Sequence, residues 1–403
     1  DINRVLLVIE SKCSQFKKSV LLQIMFQIDE LELDAVRRVF ERKKLFRYQM
    51  SGQGECDLFE AEFSKKLKTR HSLMVSSGTN ALIAALRACE IGPGDEVIVP
   101  AYTFVATASA VAQVGAQVVV VNVDENLCID LKDLKKRIGP RTRCLIPVHM
   151  DGMASPIKSI MDIASEHRLT VIEDVAQALG GSFQGKALGT WGKLGCFSLN
   201  ENKIISCGEG GLIVTDSQEH FEKAFAFHDG AAMFFPANHD RFLKNSDALG
   251  GSMRVSEISG AIMRVQIQRL DSLLRELRTR KKIWVDQLNG MSGITIPRGA
   301  CEAGDCGTSL HLMFNLHERA MQAVQALAQK QLAFYPVAAR PAHVFWKWAP
   351  SLRNGMTDSH SNSSYLQSID LLSRVLKLDL NPRLDLEEVK NQAKVVRTIL
   401  SQN

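Results

Sequence analysis

Between residues 71 and 215, short apolar runs alternate with segments whose apolar positions recur at helical spacing. The runs at 72–75, 97–99, 118–121, 144–148 and 171–172 are too short for helices and read as buried strands. The segments at 81–89, 104–113, 131–137 and 157–167 read as the helices between them. Strands and helices alternating at this pitch predict an α/β chain with a mainly parallel sheet covered on both faces. Ligands of such sheets gather beyond the carboxyl ends of the strands.

The flanks follow other patterns. Leu31, Leu33, Val36, Val39 and Phe40 predict a helix within 29–47 that runs into an irregular loop, and 58–67 is helix-like. Residues 221–249 are polar and aromatic without a clear period. A long helical pattern over 255–288 then ends at Gly290 and Gly293. We place a domain boundary there: 1–28 is an extension that matches no pattern, 29–290 a large domain, and 291–403 a small α+β domain. The small domain holds predicted strands at 310–315 and 375–380, helices at 318–331 and 384–400, and an aromatic loop at 334–348.

Composition narrows the class. At 403 residues, 45% hydrophobic and 23% charged, the chain is neither disordered nor of a membrane type. Its net charge of +5 is spread out rather than collected into a run, which leaves room for anionic ligands and gives no expectation of nucleic acid. Nine cysteines form no Cys-x-x-Cys pair, and several sit in apolar runs as reduced thiols do. No stretch approaches the ~20 apolar residues of a spanning helix. The expectation is a soluble, cytoplasmic protein without a membrane partner.

Candidate chemistry falls at the predicted strand ends. Ser76-Ser77-Gly78-Thr79-Asn80 opens a helix, either as an anion site or as an ordinary N-cap. Asp174 ends a strand and either binds a ligand or caps the next turn; Phe104 either lines a site or joins the core. Lys203 lies on a polar turn between the apolar segments 195–197 and 212–214, with Gly208, Gly210 and Gly211 nearby. Desolvation there would favour a neutral amine, the form that attacks a carbonyl, whereas a solvated lysine would do nothing of the kind. Walker, dinucleotide-binding, His-Glu-x-x-His and Gly-x-Ser-x-Gly patterns are absent, and no metal is expected. An anion seat, a carboxylate and a lysine are together what pyridoxal 5'-phosphate requires. The loop holding His343, Trp346 and Trp348 is either a substrate wall or core packing.

Four motifs carry a resemblance: Ser77-Gly78-Thr79-Asn80-Ala81-Leu82, Pro100-Ala101-Tyr102-Thr103-Phe104, Glu173-Asp174-Val175-Ala176-Gln177, and Ser198-(x4)-Lys203-(x4)-Gly208-Glu209-Gly210-Gly211. In this order they resemble the DegT/DnrJ/StrS family of pyridoxal-phosphate sugar aminotransferases. The resemblance implies the fold-type I architecture and a homodimer with active sites at the interface. It implies that Lys203 is the Schiff-base lysine and that Asp174 pairs with the pyridinium nitrogen, with Gln177 near the phenolic oxygen and Phe104 on the ring. The backbone at Gly78, Thr79 and Asn80, with the Ser198 hydroxyl, would hold the phosphate.

The expected reaction moves an amino group from an amino acid, L-glutamate first among candidates, to a keto sugar or keto sugar acid. Such a product would serve a cell-surface polysaccharide such as lipopolysaccharide, or a secondary metabolite. Two other readings remain: the family's dehydratase branch, which carries histidine in place of the lysine, and a cofactor-binding regulator without turnover. Gly250-Gly251-Ser252-Met253-Arg254 stands where the family often has Gly-x-Asn-x-Arg. Ser252 thus takes the place of an asparagine that reaches the partner subunit's phosphate. Arg254, with His343, is a candidate for substrate.

Overall fold

The computed structural model describes residues 25–48, 54–231, 250–349, 352 and 365–402. Residues 1–24 and most of the aperiodic stretch, 232–249, lie outside it. The described chain opens with α1 (Glu30–Glu41), capped by Asp29, whose side chain accepts from Leu31 N while Glu32 returns to the Asp29 amide. Helix α2 (Glu55–Leu67) follows. Its first amides, those of Glu55 and Cys56, donate to the buried carboxylate of Glu257, far along the chain.

The predicted alternation then appears: β1 (His71–Val75), α3 (Gly78–Ala88), β2 (Glu96–Pro100), α4 (Ala106–Gln113), β3 (Gln117–Val121), α5 (Leu131–Arg137), β4 (Thr142–Leu145), α6 (Ile157–Glu166) and β5 (Thr170–Asp174). A two-residue ladder, β6 (Ser182–Phe183) with β7 (Lys186–Ala187), precedes β8 (Leu194–Ser198) and β9 (Gly211–Thr215). The seven-stranded sheet runs β1-β9-β8-β5-β4-β2-β3. Only β9 runs against the rest, paired antiparallel to β1 and β8. Val97 and Val99 enter the core on one face while Ile98 enters the core on the other, so strand alternation fills both sides.

Two helices escaped the periodicity, one at Leu366–Ser373 and one earlier in the chain. Residues 218–228 form α7 (Gln218–His228), where Glu222 and His228 are buried beside Phe221 and Phe225. The buried polar residues interrupt the apolar stripe by which a helix is recognised. His228 Nε2 lies 2.6 Å from the Tyr48 hydroxyl, which satisfies it.

Helix α8 (Glu257–Leu288) leads to β10 (Ile294–Thr295), β11 (Ser309–Phe314), α9 (His317–Gln329), β12 (Tyr335–Pro336), α10 (Leu366–Ser373), β13 (Val375–Asp379) and α11 (Leu386–Gln402). The second sheet is antiparallel, in the order β10-β11-β13-β12. Its own core joins Leu310, Leu312 and Leu376 to Leu288 of α8 and Val396 of α11. Trp346 and Trp348 are buried in the core on one face of the large sheet. Among the described residues no helix is long and apolar enough to cross a membrane.

Candidate active site

At the end of β1 the chain turns straight into α3. Ser77 is extended (φ −164°, ψ 162°), and its Oγ accepts from Asn80 N at 3.1 Å, so it caps the helix. Among the described residues the amides of Gly78 and Thr79 have no acceptor. They sit at the positive end of the helix dipole, where an anion is stabilised. A Cβ built on Gly78 would stand 2.8 Å from Ser198 Cβ, and one on Gly211 would strike the Ser77 carbonyl. The two glycines let the helix start lie against the ends of β8 and β9.

Beyond β8 the chain makes the loop that carries Lys203. Leu199 N donates to Gly210 O (2.8 Å), Glu201 N to Gly208 O (2.9 Å) and Lys203 N to Asn200 O (3.0 Å). Gly208 takes a left-handed turn there (φ 87°). These bonds hold a half-buried Lys203 over the sheet end, and among the described residues its amine has no ion-pair partner. Burial lowers its pKa below the ordinary lysine value, with the Asp174 charge opposing.

Asp174 ends β5, is 4% exposed, and accepts from Thr107 Oγ1 at 2.8 Å and Ala176 N at 3.0 Å. Burial raises its pKa, while the two hydrogen bonds and the Lys203 charge pull the other way. Both groups are therefore displaced toward their neutral forms. A carbonyl beside Lys203 would meet a neutral amine, and a cation beside Asp174 would draw its carboxyl back to the ionised form.

These elements enclose a cavity of about 650 Å³. The predicted residues Gly78, Thr79, Phe104, Asp174, Gln177 and Ser198 line it, as do Lys203 and His343. Phe104 is 44% exposed, so it is no core residue, and its ring lies 5.2 Å from that of His343. Gln177 Oε1 accepts from Asp151 N at 3.2 Å. Asn80 does not line the cavity: its amide belongs to Ser77, and its side chain donates to Ser76 Oγ at 2.8 Å. Ser252 and Arg254 lie outside the cavity as well. Ser252 is exposed and bridges to Asp229, which pairs with Arg254 at 2.7 Å.

Sequence reasoning missed the opposite wall. Asp151 is fully buried in a left-handed conformation (φ 53°, ψ 30°) that aspartate tolerates. Its carboxylate receives Lys377 Nζ (2.7 Å), His311 Nε2 (3.1 Å), Arg340 Nη1 (3.2 Å) and the Tyr102 hydroxyl. Burial pushes its pKa up, but Lys377 and Arg340 outweigh that and hold it well below the usual carboxylate range. Lys377 also pairs with Asp379 at 2.9 Å, and Asp379 accepts from the Tyr335 hydroxyl at 2.6 Å. Arg340 Nη2 lies 2.8 Å from His343 Nε2, and desolvation together with that guanidinium pushes the imidazole down to about 2. The available signal was in β13, where Lys377 and Asp379 occupy alternate positions of an otherwise apolar strand and so share a face.

The residues fit pyridoxal phosphate: an open helix start backed by a serine hydroxyl for a phosphate, a buried carboxylate for a ring cation, and an amine without a partner. Together with a mainly parallel sheet, they define a fold-type I, pyridoxal-phosphate-dependent aminotransferase. The chain belongs to the DegT/DnrJ/EryC1/StrS aminotransferase family, whose profile matches residues 27–399. It is 31% identical over 355 residues to a UDP-N-acetyl-3-dehydro-α-D-glucosamine 3-aminotransferase of Acidithiobacillus ferrooxidans, covering 87% of this chain and 89% of that one. It is 32% identical over 272 residues to an L-glutamine:2-deoxy-scyllo-inosose aminotransferase of Micromonospora echinospora, covering 65% and 64%. The crystal structure of 3-amino-5-hydroxybenzoic acid synthase superposes with a TM-score of 0.81 at 26% identity, over 94% of this chain and 98% of that one.

Proposed function

We propose that this aminotransferase takes an amino group from L-glutamate and gives it to a keto sugar or keto sugar acid, for a cell-surface polysaccharide or a secondary metabolite. The reading is carried by one observation: Lys203, Asp174 and the open amides of α3 share one cavity. The two relatives are named for a nucleotide-linked sugar and a free cyclitol, which supports a hydroxylated cyclic ketone as acceptor.

In this reading the Gly78 and Thr79 amides and the Ser198 hydroxyl hold the cofactor phosphate, Lys203 attaches the cofactor, Phe104 covers its ring, and Gln177 lies beside its phenolic oxygen. Asp174 keeps the ring nitrogen protonated. The bound cofactor supplies an electron sink for the pair released at the donor Cα. Lys203 Nζ, displaced by the donor amine, takes the Cα proton as general base. In the second half it delivers a proton to the acceptor carbon that becomes the amine-bearing centre. Burial lowers its pKa, which favours the neutral amine that takes the proton.

The molecule acts as a homodimer in the cytoplasm, with active sites at the interface; Ser252 is shorter than the family's asparagine at the position facing the partner subunit, and Arg254 is the candidate for a substrate carboxylate. Ile28, Leu31, Leu33 and Phe40 expose apolar side chains on and beside α1, which supports a covered face, and the eight described cysteines are free thiols. The separate core of the small sheet supports the division near residue 290. Sedimentation showing a monomer at micromolar concentration would refute the dimer.

The test is the visible absorbance of the reconstituted protein before and after L-glutamate. Bleaching supports the assignment; a coloured protein that glutamate leaves unchanged excludes glutamate as donor. Lys203→Ala should lose transamination, and substantial turnover by that variant would remove the lysine from its role.

A further inference from the structure

The wall opposite Lys203 holds more charge than the chemistry uses. Two acids, Asp151 and Asp379, face two bases, Arg340 and Lys377, so the wall is balanced. Asp151 and Lys377 are spent inward, with side chains 0% and 5% exposed. All four line the cavity, but only the other two keep a free edge: the Asp379 side chain is 41% exposed and that of Arg340 is 17% exposed. The cavity therefore presents one group that only accepts hydrogen bonds beside one that only donates them.

A hydroxyl both donates and accepts. A ring carrying neighbouring hydroxyls can give a proton to Asp379 and receive one from Arg340, whereas an anionic group gains from Arg340 and is repelled by Asp379. The aspartate that binds the ribose hydroxyl in dinucleotide-binding folds rests on the same acceptor-only chemistry. Resting on the aminotransferase reading, we propose that Asp379 and Arg340 form the acceptor subsite and select a neutral, polyhydroxylated ring by bridging its hydroxyls. Lys377 and Asp151 are positioning residues: Lys377 holds Asp379, and Asp151 holds both cations. Burial would raise the Asp379 carboxyl, but Lys377 and the Tyr335 hydroxyl outweigh it and keep the group an ionised acceptor.

The test measures binding rather than turnover. Saturation-transfer NMR on the holoenzyme with scyllo-inositol, a hydroxylated ring without a ketone, should give a measurable dissociation constant. Asp379→Asn keeps the shape and removes the charge; it should weaken scyllo-inositol at least tenfold and leave succinate, an anion without a ring, bound as well as or better than before. Absence of scyllo-inositol binding to the wild type, an unchanged affinity in the variant, or an equal loss for succinate would each overturn the subsite. Glutamate bleaching of the same holoenzyme decides the aminotransferase reading separately, so the two failures can be told apart.

Discussion

Gly78 and Ser198 touch: a Cβ on the glycine would lie 2.8 Å from that of the serine, a separation that packed side chains do not adopt. Gly78→Ala must push the start of α3 off the end of β8, separating the two groups proposed to hold the phosphate. We expect a loss of about 1–3 kcal/mol in stability from overpacking. Cofactor affinity should fall at least tenfold, roughly 1.4 kcal/mol. Thermal melting and a fluorescence titration with pyridoxal phosphate check the two effects.

Asp174 is buried, with Thr107 and Ala176 as its donors. Asp174→Asn preserves size but cannot keep a ring nitrogen protonated by charge. Turnover should fall by about 10²–10⁴, the range of a proton-positioning group, while the protein still binds cofactor. Single-turnover absorbance after adding donor separates these, and near-wild-type rates would count against the assigned role.

Asp151→Ala would leave Lys377 and Arg340 without their shared carboxylate in a buried wall. Removing one partner of a buried ion pair costs about 3–5 kcal/mol, to be read from the urea midpoint. The folded-state pKa is depressed, so the stabilisation is present above the unfolded value of 3.8 and is lost as pH falls through the folded one.

Glu257 supplies the opposite sign. Desolvation raises it from 4.5 to about 7, against the amides of Cys56 and Glu55 that favour its ionised form. A raised folded-state pKa gives stability that is complete below 4.5 and is lost as pH rises through about 7. Glu257→Gln, which keeps an acceptor for those amides, should flatten the dependence of melting temperature on pH between these values. A profile parallel to the wild type would show that Glu257 does not titrate there.

Local patterns carried the longer strands, though not the two-residue ones at β6, β7, β10 and β12, together with the mainly parallel sheet and the loop holding Lys203, because strand alternation and turn residues are written in consecutive positions. Asp174 and Gln177 were placed the same way, at the end of a readable strand. The charged wall was not, because Asp151 meets Lys377 across 226 positions of chain. A buried ion network has no period, and only folding brings its members together. Helix α7 was lost for a related reason: its His228 faces the interior to reach Tyr48 rather than to supply apolar area. The loop with His343, Trp346 and Trp348 divides between its two readings, with the histidine in the cavity and the tryptophans in the core.

Arg340 is fixed by the Tyr102 hydroxyl at 3.0 Å, by Asp151 and by His343. A free arginine loses about 0.5–1.5 kcal/mol of rotamer freedom when a ligand immobilises it. Here that ordering is complete before any ligand enters. The wall therefore works as a template rather than a clamp, and the geometry it offers a substrate is set during folding, by the partners that hold Arg340 in place.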